Sequence, residues 1–520
     1  MNGAFSERVL AALADAGVAE LCICPGGRNS PIVALLANST GFHCRFFFDE
    51  RSAAFFALGR SRATARPVAV ITTSGTAAAE LLPASIEAYY SGTPLVLVTA
   101  DRPQRHRGTG APQAIEQVGL FGPYAPTAFD GDASAEGPTL AAWDGVAPIH
   151  LNVCFDEPLV DEPERTARFT PAAAAPRERT VDTAPLDRFL AAHDRTLVVL
   201  GPLDARDHDA VRRFLLAYGR PVVAEAASGL REDPAIADLT LISGGRLLRE
   251  HQPTAVLRIG GVPTLRLWRD LDLGLDVPVL SVSRVPFSGL PGSEIVCAPP
   301  GAVLDAVTPP TPSRAARAYV ELLRPSDRDR AHAFEALLAR HPTSEPALVR
   351  TLSEIIPEGA LVYLGNSLPI REWDLVANRA PRGWSVGVNR GANGIDGQLS
   401  TFLGMCRAGR ENWAVVGDLT ALYDLQAPWA LAGVDAECVR IVVLNNGGGR
   451  IFERMYTSET FQNPHAVGFE EWARMWQLPY ERWTTVPATG PIAPRSVIEL
   501  IPDRAATRAF WTARDRLDGA

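Results

Sequence analysis

The chain has 520 residues, which is enough for about three domains. Its apolar fraction of 47% and charged fraction of 21% are those of an ordinary globular protein, and its net charge of −9 argues against a nucleic-acid binder, which needs a concentrated basic face. No run of about 18–20 apolar residues predicts a membrane span, and the N-terminus lacks the basic start and apolar core of a signal peptide. With seven cysteines in so long a chain, we expect a cytoplasmic protein without a disulfide framework.

The sequence contains no lysine, so all 50 basic residues are arginine. Schiff-base chemistry on lysine, including the usual pyridoxal-phosphate linkage, is therefore excluded, and so is a Walker-type P-loop. Arginine suits the bidentate capture of carboxylates. A bias towards arginine codons explains most of the count, but it does not explain where particular arginines lie.

The first part of the chain alternates short apolar strands with helices. We predict strands over residues 20–24, 45–48, 68–71 and 95–99, and helices over residues 50–60 and 77–90. A second α/β block begins with the strand 196–200, and a third contains strands at 361–364, 413–416 and 441–444. The pattern predicts three consecutive doubly wound parallel-sheet domains of the α/β class. Such sheets bind ligands just beyond the carboxyl ends of their strands.

Two proline-rich stretches separate these blocks. Residues 171–185 form a low-complexity linker, and residues 309–312 lead into a predicted helical connection. We therefore predict an N-terminal domain over residues 1–180, a central α/β domain over 185–310, a helical linker over 311–342 and a C-terminal domain over 343–520.

Oxygen ligands follow two neighbouring strands of the third block. The segment Gly417-Asp418-Leu419 closes one apolar strand, and Asn445-Asn446 closes the next, with 25 residues between Leu419 and Asn445 and three glycines after Asn446. Such a strand–helix–strand unit can hold a hard cation, and the cation can hold a diphosphate. A tight turn is the alternative interpretation of an Asn-Asn-Gly run, but the spacing from Asp418 favours the cation site.

This arrangement resembles the metal–diphosphate motif of thiamine-diphosphate enzymes, in which a Gly-Asp-Gly segment precedes an Asn-Asn pair at a similar distance. Leu419 stands where the usual motif has glycine. The resemblance gives Glu50 a specific role. Alone, Glu50 is most simply an acidic charge at a helix N-terminus. In a thiamine-diphosphate enzyme, a glutamate after the second strand drives the aminopyrimidine to its imino tautomer and relays a proton.

Arginines recur beside predicted turns of the first and third blocks. They are Arg28, Arg102, Arg371 and Arg390. A lone arginine is by default a solvated surface residue. Several arginines at strand ends beside a cofactor site suggest anionic substrates with more than one carboxylate.

The motifs together resemble the 2-succinyl-5-enolpyruvyl-6-hydroxy-3-cyclohexene-1-carboxylate synthases, a family of thiamine-diphosphate enzymes of menaquinone biosynthesis. The first and third blocks carry the resemblance, and the middle block contributes little. The matching segments are residues 24–31, 49–52, 73–76, 99–103, 108–115, 365–368, 389–392, 394–397, 417–419 and 445–452.

The resemblance implies a role for each matching position. Glu50 would activate the cofactor, and Ile395 would be the apolar wedge that bends it. The Mg²⁺ ligands would be Asp418, Asn446 and the Gly448 carbonyl, with Mn²⁺ as an alternative ion. Other positions implied to contact thiamine diphosphate are Ser74, Gly75, Ser367, Gly394, Leu419, Ile451 and Phe452. Positions implied to contact substrates are Arg28, Arg102, Gln113, Ser367, Arg371 and Arg390, with Arg266 lent by the middle domain and with Ile451 and Phe452 also matching.

The implied reaction decarboxylates 2-oxoglutarate and adds the remaining unit to isochorismate by a 1,4-addition. The implied assembly is a homodimer or a dimer of such dimers. Gly27, Pro112 and Asn393 depart from the residues common in the family, but none of these departures removes a charge or the cofactor acid. Another thiamine-diphosphate carboligase or decarboxylase, such as an acetolactate synthase, is the alternative, and it lacks the arginine segments. A non-catalytic regulator on the same fold is a third interpretation, which the retention of Glu50 disfavours.

Overall fold

A computed structural model of the chain describes residues 1–160, 165–173, 181–242, 248, 250–265, 268, 271, 277–456 and 458–518. Arg266 and part of the predicted linker, residues 174–180, lie outside the described residues. The chain divides into two compact units. The first comprises Met1–Arg177, Gly391–Cys406 and Tyr423–Asp435, and the second comprises Glu178–Arg390, Arg407–Leu422 and Ala436–Ala520.

A parallel sheet of six strands lies at the centre of the first unit. Its strands are β1 (Glu20–Ile23), β2 (His43–Phe46), β3 (Val68–Thr72), β4 (Leu95–Asp101), β5 (Thr127–Gly131) and β6 (Ile149–Cys154). Their order is β2-β1-β3-β4-β6-β5, and every neighbouring pair is parallel. Every residue of β3 and β4 is buried, as expected for a parallel sheet that helices cover on both faces.

Helices follow most strands of this sheet. Those of the N-terminal segment are Asn2–Asp15, Ser30–Ala37, Glu50–Thr64, Thr76–Ala79 and Leu82–Ser91, and helix Gln398–Met405 also belongs to this unit. The single helix predicted over residues 77–90 is wrong, because the structure has two short helices there. Pro83 lies in the first turn of the second helix, and it has no N–H for a bond to a preceding turn.

The second unit contains two further parallel sheets. The strands of the first are β7 (Thr196–Leu200), β8 (Val222–Ala224), β9 (Ala255–Ile259), β10 (Val279–Ser283) and β11 (Glu294–Cys297), in the order β11-β10-β9-β7-β8. The strands of the second are β12 (Leu361–Leu364), β13 (Ser385–Gly387), β14 (Glu411–Gly417), β15 (Cys438–Leu444), β16 (Tyr480–Trp483) and β17 (Arg495–Leu500), in the order β13-β12-β14-β15-β17-β16.

Helices of the second unit pack against these sheets. They are Ala184–Ala192, His208–Tyr218, Pro300–Asp305, Arg314–Arg340, Glu345–Ile355, Leu368–Val376, Glu470–Met475 and Arg504–Asp518 among the described residues. Helix Asp418–Tyr423 begins directly after β14. The largest buried side chains around the second of the two sheets include Trp373 and Trp413.

Three parallel sheets confirm the α/β architecture predicted from the sequence. The domain boundaries at 1–180, 185–310, 311–342 and 343–520 stay predictions. Within the described part of the chain, no helix combines the length and the apolar character that crossing a membrane requires.

Candidate active site

The candidate cation site lies where two adjacent strands of the second unit end. Strands β14 and β15 pair in register up to Gly417 and Leu444, so Asp418 and the Asn445-Asn446 pair leave the sheet at the same edge. Asp418 is buried, and its Oδ2 accepts the backbone N–H groups of Gly447 at 2.8 Å and Gly448 at 2.9 Å. Burial raises the pKa of Asp418, while these backbone donors act in the opposite direction.

The Asn446 side chain presents a free acceptor at this site. Its Nδ2 lies 3.0 Å from both carboxylate oxygens of Glu345, which fixes which end of the amide is the oxygen. Its Oδ1 is buried and has no hydrogen-bond partner among the described residues. A buried acceptor without a donor is costly unless a ligand meets it. A cation is such a ligand, so the amide oxygen fits the implied Mg²⁺ site.

Gly448 has a backbone that only glycine adopts easily. Its φ is 131°, and a Cβ atom there would lie 2.4 Å from the Gln462 carbonyl oxygen. The glycine therefore permits the close chain path that follows Asn446. A carboxylate, an amide oxygen and a backbone carbonyl make a hard-oxygen set that suits Mg²⁺ or Mn²⁺ and, through it, a diphosphate.

The first asparagine of the pair has a structural role. Asn445 Nδ2 donates to Glu499 Oε1 at 2.5 Å and to the Val467 carbonyl at 2.9 Å. Its Oδ1 accepts the Gly447 N–H at 3.3 Å. Since both ends of this amide are used within the protein, Asn446 is the better candidate ligand.

Glu50 opens helix Glu50–Thr64 in the first unit. Asp49 caps this helix by accepting the N–H of Ser52 at 2.7 Å. Burial raises the pKa of Glu50, and the charges of Asp49 and Glu80 raise it further. A raised pKa favours the protonated form of the carboxyl group, which is the form that can donate a hydrogen bond.

Three predicted contact residues of the first unit lie together above β3. Gly75 has φ 84°, and a Cβ on it would lie 3.2 Å from Gln113, whose own φ is 58°. Ser74 precedes Gly75 and is buried, and its hydroxyl has no hydrogen-bond partner in the described part of the chain. The turn at Ser74-Gly75 therefore offers polar groups to a ligand.

Two predicted substrate arginines are neighbours in the same unit. Arg28 is buried, and its Nη1 donates to the Phe155 carbonyl at 2.9 Å. Burial lowers the pKa of Arg28, and the positive charge of Arg102 lowers it further. Arg102 donates through Nε to the Pro112 carbonyl. Two cations so close together are suited to an anionic ligand.

The predicted contact residues of the 365–371 and 389–390 segments meet in the second unit. Arg390 Nη1 donates to Asn366 Oδ1 at 3.1 Å, and Asn366 Nδ2 donates to the Asn389 carbonyl at 2.7 Å. Arg371 Nη1 lies 2.6 Å from the carbonyl of Ser367, which has φ 73°. These contacts bring Ser367, Arg371 and Arg390 into one region.

The predicted wedge segment belongs to the first unit. Glu87 is buried, and its two oxygens accept the N–H groups of Gly391 at 2.9 Å and Ala392 at 2.7 Å. Gly394, which precedes Ile395, accepts from Gln398 Nε2 at 2.5 Å through its carbonyl. These bonds hold the segment that carries Ile395.

The remaining predicted cofactor residues flank the candidate cation site. Leu419 donates its N–H to Asp418 Oδ1 at 2.6 Å. Ile451 and Phe452 lie in the 3-10 turn Arg450–Phe452, which follows the glycines after Asn446. Phe452 is 40% exposed.

Four residues of these surroundings were missed by the sequence analysis. Glu345 orients Asn446, and His465 Nε2 lies 3.3 Å from Asp418 Oδ2. Glu87 and Gln117 hold the segments at Gly391 and Gly75. Glu345 follows the capping residue Ser344 and is indistinguishable in sequence from an ordinary acid at a helix start.

The chain is similar to proteins of a known group. Residues 4–120 match the family described as thiamine pyrophosphate enzyme, N-terminal TPP binding domain. A solved structure described as a thiamin diphosphate-dependent enzyme from Mycobacterium smegmatis covers 96% of this chain and 99% of its own, with a TM-score of 0.68 and 17% identity. This likeness confirms the predicted fold type.

Relatives that span nearly the whole chain carry one common name, 2-succinyl-5-enolpyruvyl-6-hydroxy-3-cyclohexene-1-carboxylate synthase. The protein from Bdellovibrio bacteriovorus is 42% identical, with 99% of each chain covered. The protein from Akkermansia muciniphila is 41% identical, with 97% of each covered. The protein from Rubrobacter xylanophilus is 35% identical, with 92% of this chain and 90% of its own covered. The chain therefore belongs to the 2-succinyl-5-enolpyruvyl-6-hydroxy-3-cyclohexene-1-carboxylate synthase family of thiamine-diphosphate enzymes.

Proposed function

We propose that the protein decarboxylates 2-oxoglutarate and joins the remaining four-carbon unit to isochorismate by a 1,4-addition. The product is 2-succinyl-5-enolpyruvyl-6-hydroxy-3-cyclohexene-1-carboxylate, a precursor in menaquinone biosynthesis. The observation that carries the proposal is the 42% identity, over 99% of both chains, to a relative that is named for this product. The arrangement of charges and hydrogen-bonding groups in the candidate site supports it.

Bound thiamine diphosphate supplies the nucleophilic carbon and the electron sink for decarboxylation and carbon–carbon bond formation. In the proposed site, Asp418, the Asn446 amide oxygen and the Gly448 carbonyl hold Mg²⁺, or Mn²⁺ in its place. The unpaired Asn446 Oδ1 supports this role. Leu419, Ile451 and Phe452 line the same region.

Glu50 is the proposed catalytic acid and base. Its raised pKa supports a carboxyl group that donates a hydrogen bond to the pyrimidine ring and takes part in its proton exchange. Ser74 and Gly75 would offer polar contacts to the cofactor, and Gly394 and Ile395 would shape the space around it. These residues would orient the cofactor, and Glu50 would hold the proton that moves.

The arginines are the proposed carboxylate receptors. Both substrates are dicarboxylates, so up to four negative charges require partners. Arg28 and Arg102 lie together with Gln113 in one unit, while Arg371 and Arg390 lie together with Ser367 in the other. This clustering supports substrates that carry several carboxylates. Arg266 is a further proposed substrate contact.

A homodimer, alone or paired into a dimer of dimers, is the proposed assembly. Phe48, two residues before Glu50, is 57% exposed and packs its ring edge-to-face on Trp429 at 5.0 Å. In the second unit, Tyr456 and Phe461 stack at 4.3 Å, and both are exposed. Exposed aromatic surface of this kind supports association with a second copy. The cytoplasmic location stays a prediction.

The proposed function is tested by following isochorismate consumption in the ultraviolet. The reaction contains the purified protein with isochorismate, 2-oxoglutarate, Mg²⁺ and thiamine diphosphate added, and the product is identified by mass spectrometry. Turnover should require all four additions. A parallel reaction with pyruvate in place of 2-oxoglutarate tests the acetolactate-synthase alternative. Turnover of pyruvate but not of the 2-oxoglutarate and isochorismate pair would replace the proposal with that alternative.

A further inference from the structure

A buried hydrogen-bonded path lies beneath the candidate cofactor turn of the first unit. Gln117 is fully buried, and its Oε1 accepts the backbone N–H of Gly75 at 2.9 Å. Its Nε2 donates to Asn152 Oδ1 at 2.9 Å and to the Ala100 carbonyl at 3.3 Å. Both ends of the Gln117 amide are therefore used on partners from other segments of the chain.

The path continues from Asn152 to a proposed substrate arginine. Asn152 is also fully buried, and its Nδ2 donates to Asp101 Oδ2 at 3.0 Å. The other oxygen of Asp101 accepts the backbone N–H of Arg102 at 2.7 Å. A continuous set of hydrogen bonds thus joins the backbone of Gly75 to the backbone of Arg102.

The two ends of this path are also connected at the surface. A Cβ on Gly75 would lie 3.2 Å from Gln113, so the two backbones are in close contact. The guanidinium of Arg102 donates to the carbonyl of Pro112, the neighbour of Gln113. Two sets of contacts therefore connect the cofactor turn to Arg102. One runs through residues 112–113, and the other runs through the buried Gln117.

The amide group of Gln117 is suited to connecting the segment at Gly75 with the segment at Asn152. One side chain supplies the acceptor that Gly75 needs and the donor that Asn152 needs, in a place closed to water. Leaving either partner unpaired in the interior is costly, so the two segments have few alternative positions. Since a displacement of about 1 Å at a reacting centre can cost ~10²-fold in rate, Gln117 can influence catalysis without contacting a ligand.

We propose that Gln117 is a positioning residue that couples the cofactor turn at Gly75 to substrate binding by Arg102. This inference rests on the proposed function, because it assigns Gly75 to the cofactor and Arg102 to a substrate. Binding of thiamine diphosphate and binding of that substrate are then linked through Gln117 and Asn152.

The test is a double-mutant cycle on the full-length protein. Gln117→Met keeps the side-chain length and removes both hydrogen-bonding ends. We expect kcat/KM to fall about 10- to 100-fold for the substrate whose binding Arg102→Ala weakens. Calorimetry should show weaker thiamine-diphosphate binding in the same variant. Arg102→Ala keeps the backbone N–H that ends the path but removes the side chain that the path positions. The loss in Gln117→Met/Arg102→Ala should therefore be smaller than the product of the two single losses.

Two variants distinguish positioning from general stability. Ser39→Ala removes a hydroxyl that donates to the Leu35 carbonyl at 2.7 Å and accepts the Ala167 N–H at 3.1 Å, and neither partner belongs to the path, so its effect should multiply independently with that of Arg102→Ala. Gln117→Glu keeps the size and, when protonated, one acceptor and one donor, so it should retain more activity than Gln117→Met. If Gln117→Met does not fold, Gln117→Asn, which reaches only one partner, replaces it in the cycle.

Each outcome supports or overturns the inference. A lower melting temperature with unchanged KM and unchanged cofactor affinity would make Gln117 purely structural. Full independence of the Gln117 and Arg102 changes would also overturn the coupling. A wild-type protein that consumes neither substrate would instead refute the proposed function, and the cofactor calorimetry would then still report whether Gln117 supports the turn at Gly75.

Discussion

Asn446 donates a hydrogen bond from its amide nitrogen to Glu345, while its amide oxygen has no hydrogen-bond partner among the residues that the structure describes. The Nδ2 atom lies 3.0 Å from each carboxylate oxygen of Glu345, which is buried on the first turn of helix Glu345–Ile355. An amide that rotated by half a turn would place its oxygen against a carboxylate. Glu345 therefore selects the one orientation of Asn446 in which a cation finds an oxygen.

Replacing Glu345 by leucine should weaken metal binding. The change removes the acceptor for Asn446 Nδ2 while the proposed ligands stay in place. Partners of metal ligands typically contribute 10- to 100-fold to metal affinity, so we expect a loss of about that size. Titration of Mn²⁺ in the presence of thiamine diphosphate, followed by electron paramagnetic resonance, measures it. Glu358→Leu, at an exposed position, is the matched control. Equal Mn²⁺ affinity in the two variants would contradict the orienting role.

Asp418→Ala should abolish the Mg²⁺-dependent part of cofactor binding. The variant loses the only carboxylate of the proposed ligand set, and the neutral side chain relieves the burial of a charge, so the fold should survive. Calorimetry of thiamine diphosphate with and without Mg²⁺ gives the difference. Asp435→Ala, at an exposed carboxylate, should bind like the unchanged protein. Unchanged Mg²⁺ dependence in Asp418→Ala would rule out this residue as a ligand.

Glu50→Gln should lower turnover with the cofactor still bound. The amide keeps the shape of the side chain but cannot exchange a proton, and general acid–base catalysis typically contributes ~10²–10⁴-fold. Turnover should fall by about that factor while the calorimetric affinity for thiamine diphosphate changes little. Near-normal turnover would leave Glu50 as a charge at a helix N-terminus. Glu80→Gln, which removes another acidic charge that acts on Glu50, is a useful comparison.

Mixing two inactive variants should restore part of the activity. If Glu50 of one chain and Asp418 of another serve one cofactor, a mixed dimer of Glu50→Gln and Asp418→Ala chains has one site with both changes and one site with neither. Recovered turnover, measured after chain exchange is verified by mass spectrometry, should approach the share expected for intact sites. Mixing Glu50→Gln with the double variant Glu50→Gln/Asp418→Ala gives no intact site and should stay inactive. Absence of recovery after proven exchange would indicate sites built within one chain.

His150 should make the protein less stable in acid. It is fully buried between Thr99 and Thr127, and burial lowers its pKa from 6.5 to about 4. Between about pH 6.5 and about pH 4, the imidazole is therefore protonated in the unfolded chain but neutral in the folded protein. Stability is lost as the pH falls from about 6.5 to about 4, and below that the loss is constant at about 3 kcal/mol. Urea unfolding at several pH values should show a smaller acid loss in His150→Gln. Equal loss in both proteins would contradict the assignment.

The local pattern of the chain was sufficient to predict its architecture. Strands such as β3 and β4 are fully buried and rich in apolar and β-branched residues, which is typical of a parallel sheet covered on both faces. Asp418 and Asn446 were predicted to be close because residues after adjacent parallel strands leave a sheet at one edge. Glu50 was singled out by the family resemblance, because alone it is most simply an acidic charge at a helix N-terminus.

Other features depended on residues that are distant along the chain. Glu345 meets Asn446 across 101 positions, and Gln117 meets Gly75 across 42. Neither residue differs in its local sequence from an ordinary surface acid or amide. A hydrogen bond depends on distances of a few tenths of an ångström and on direction, and only the packed sheets bring these groups within that range. The sequence alone determined which groups are proposed to carry the chemistry, and the tertiary structure decided which residues hold those groups in place.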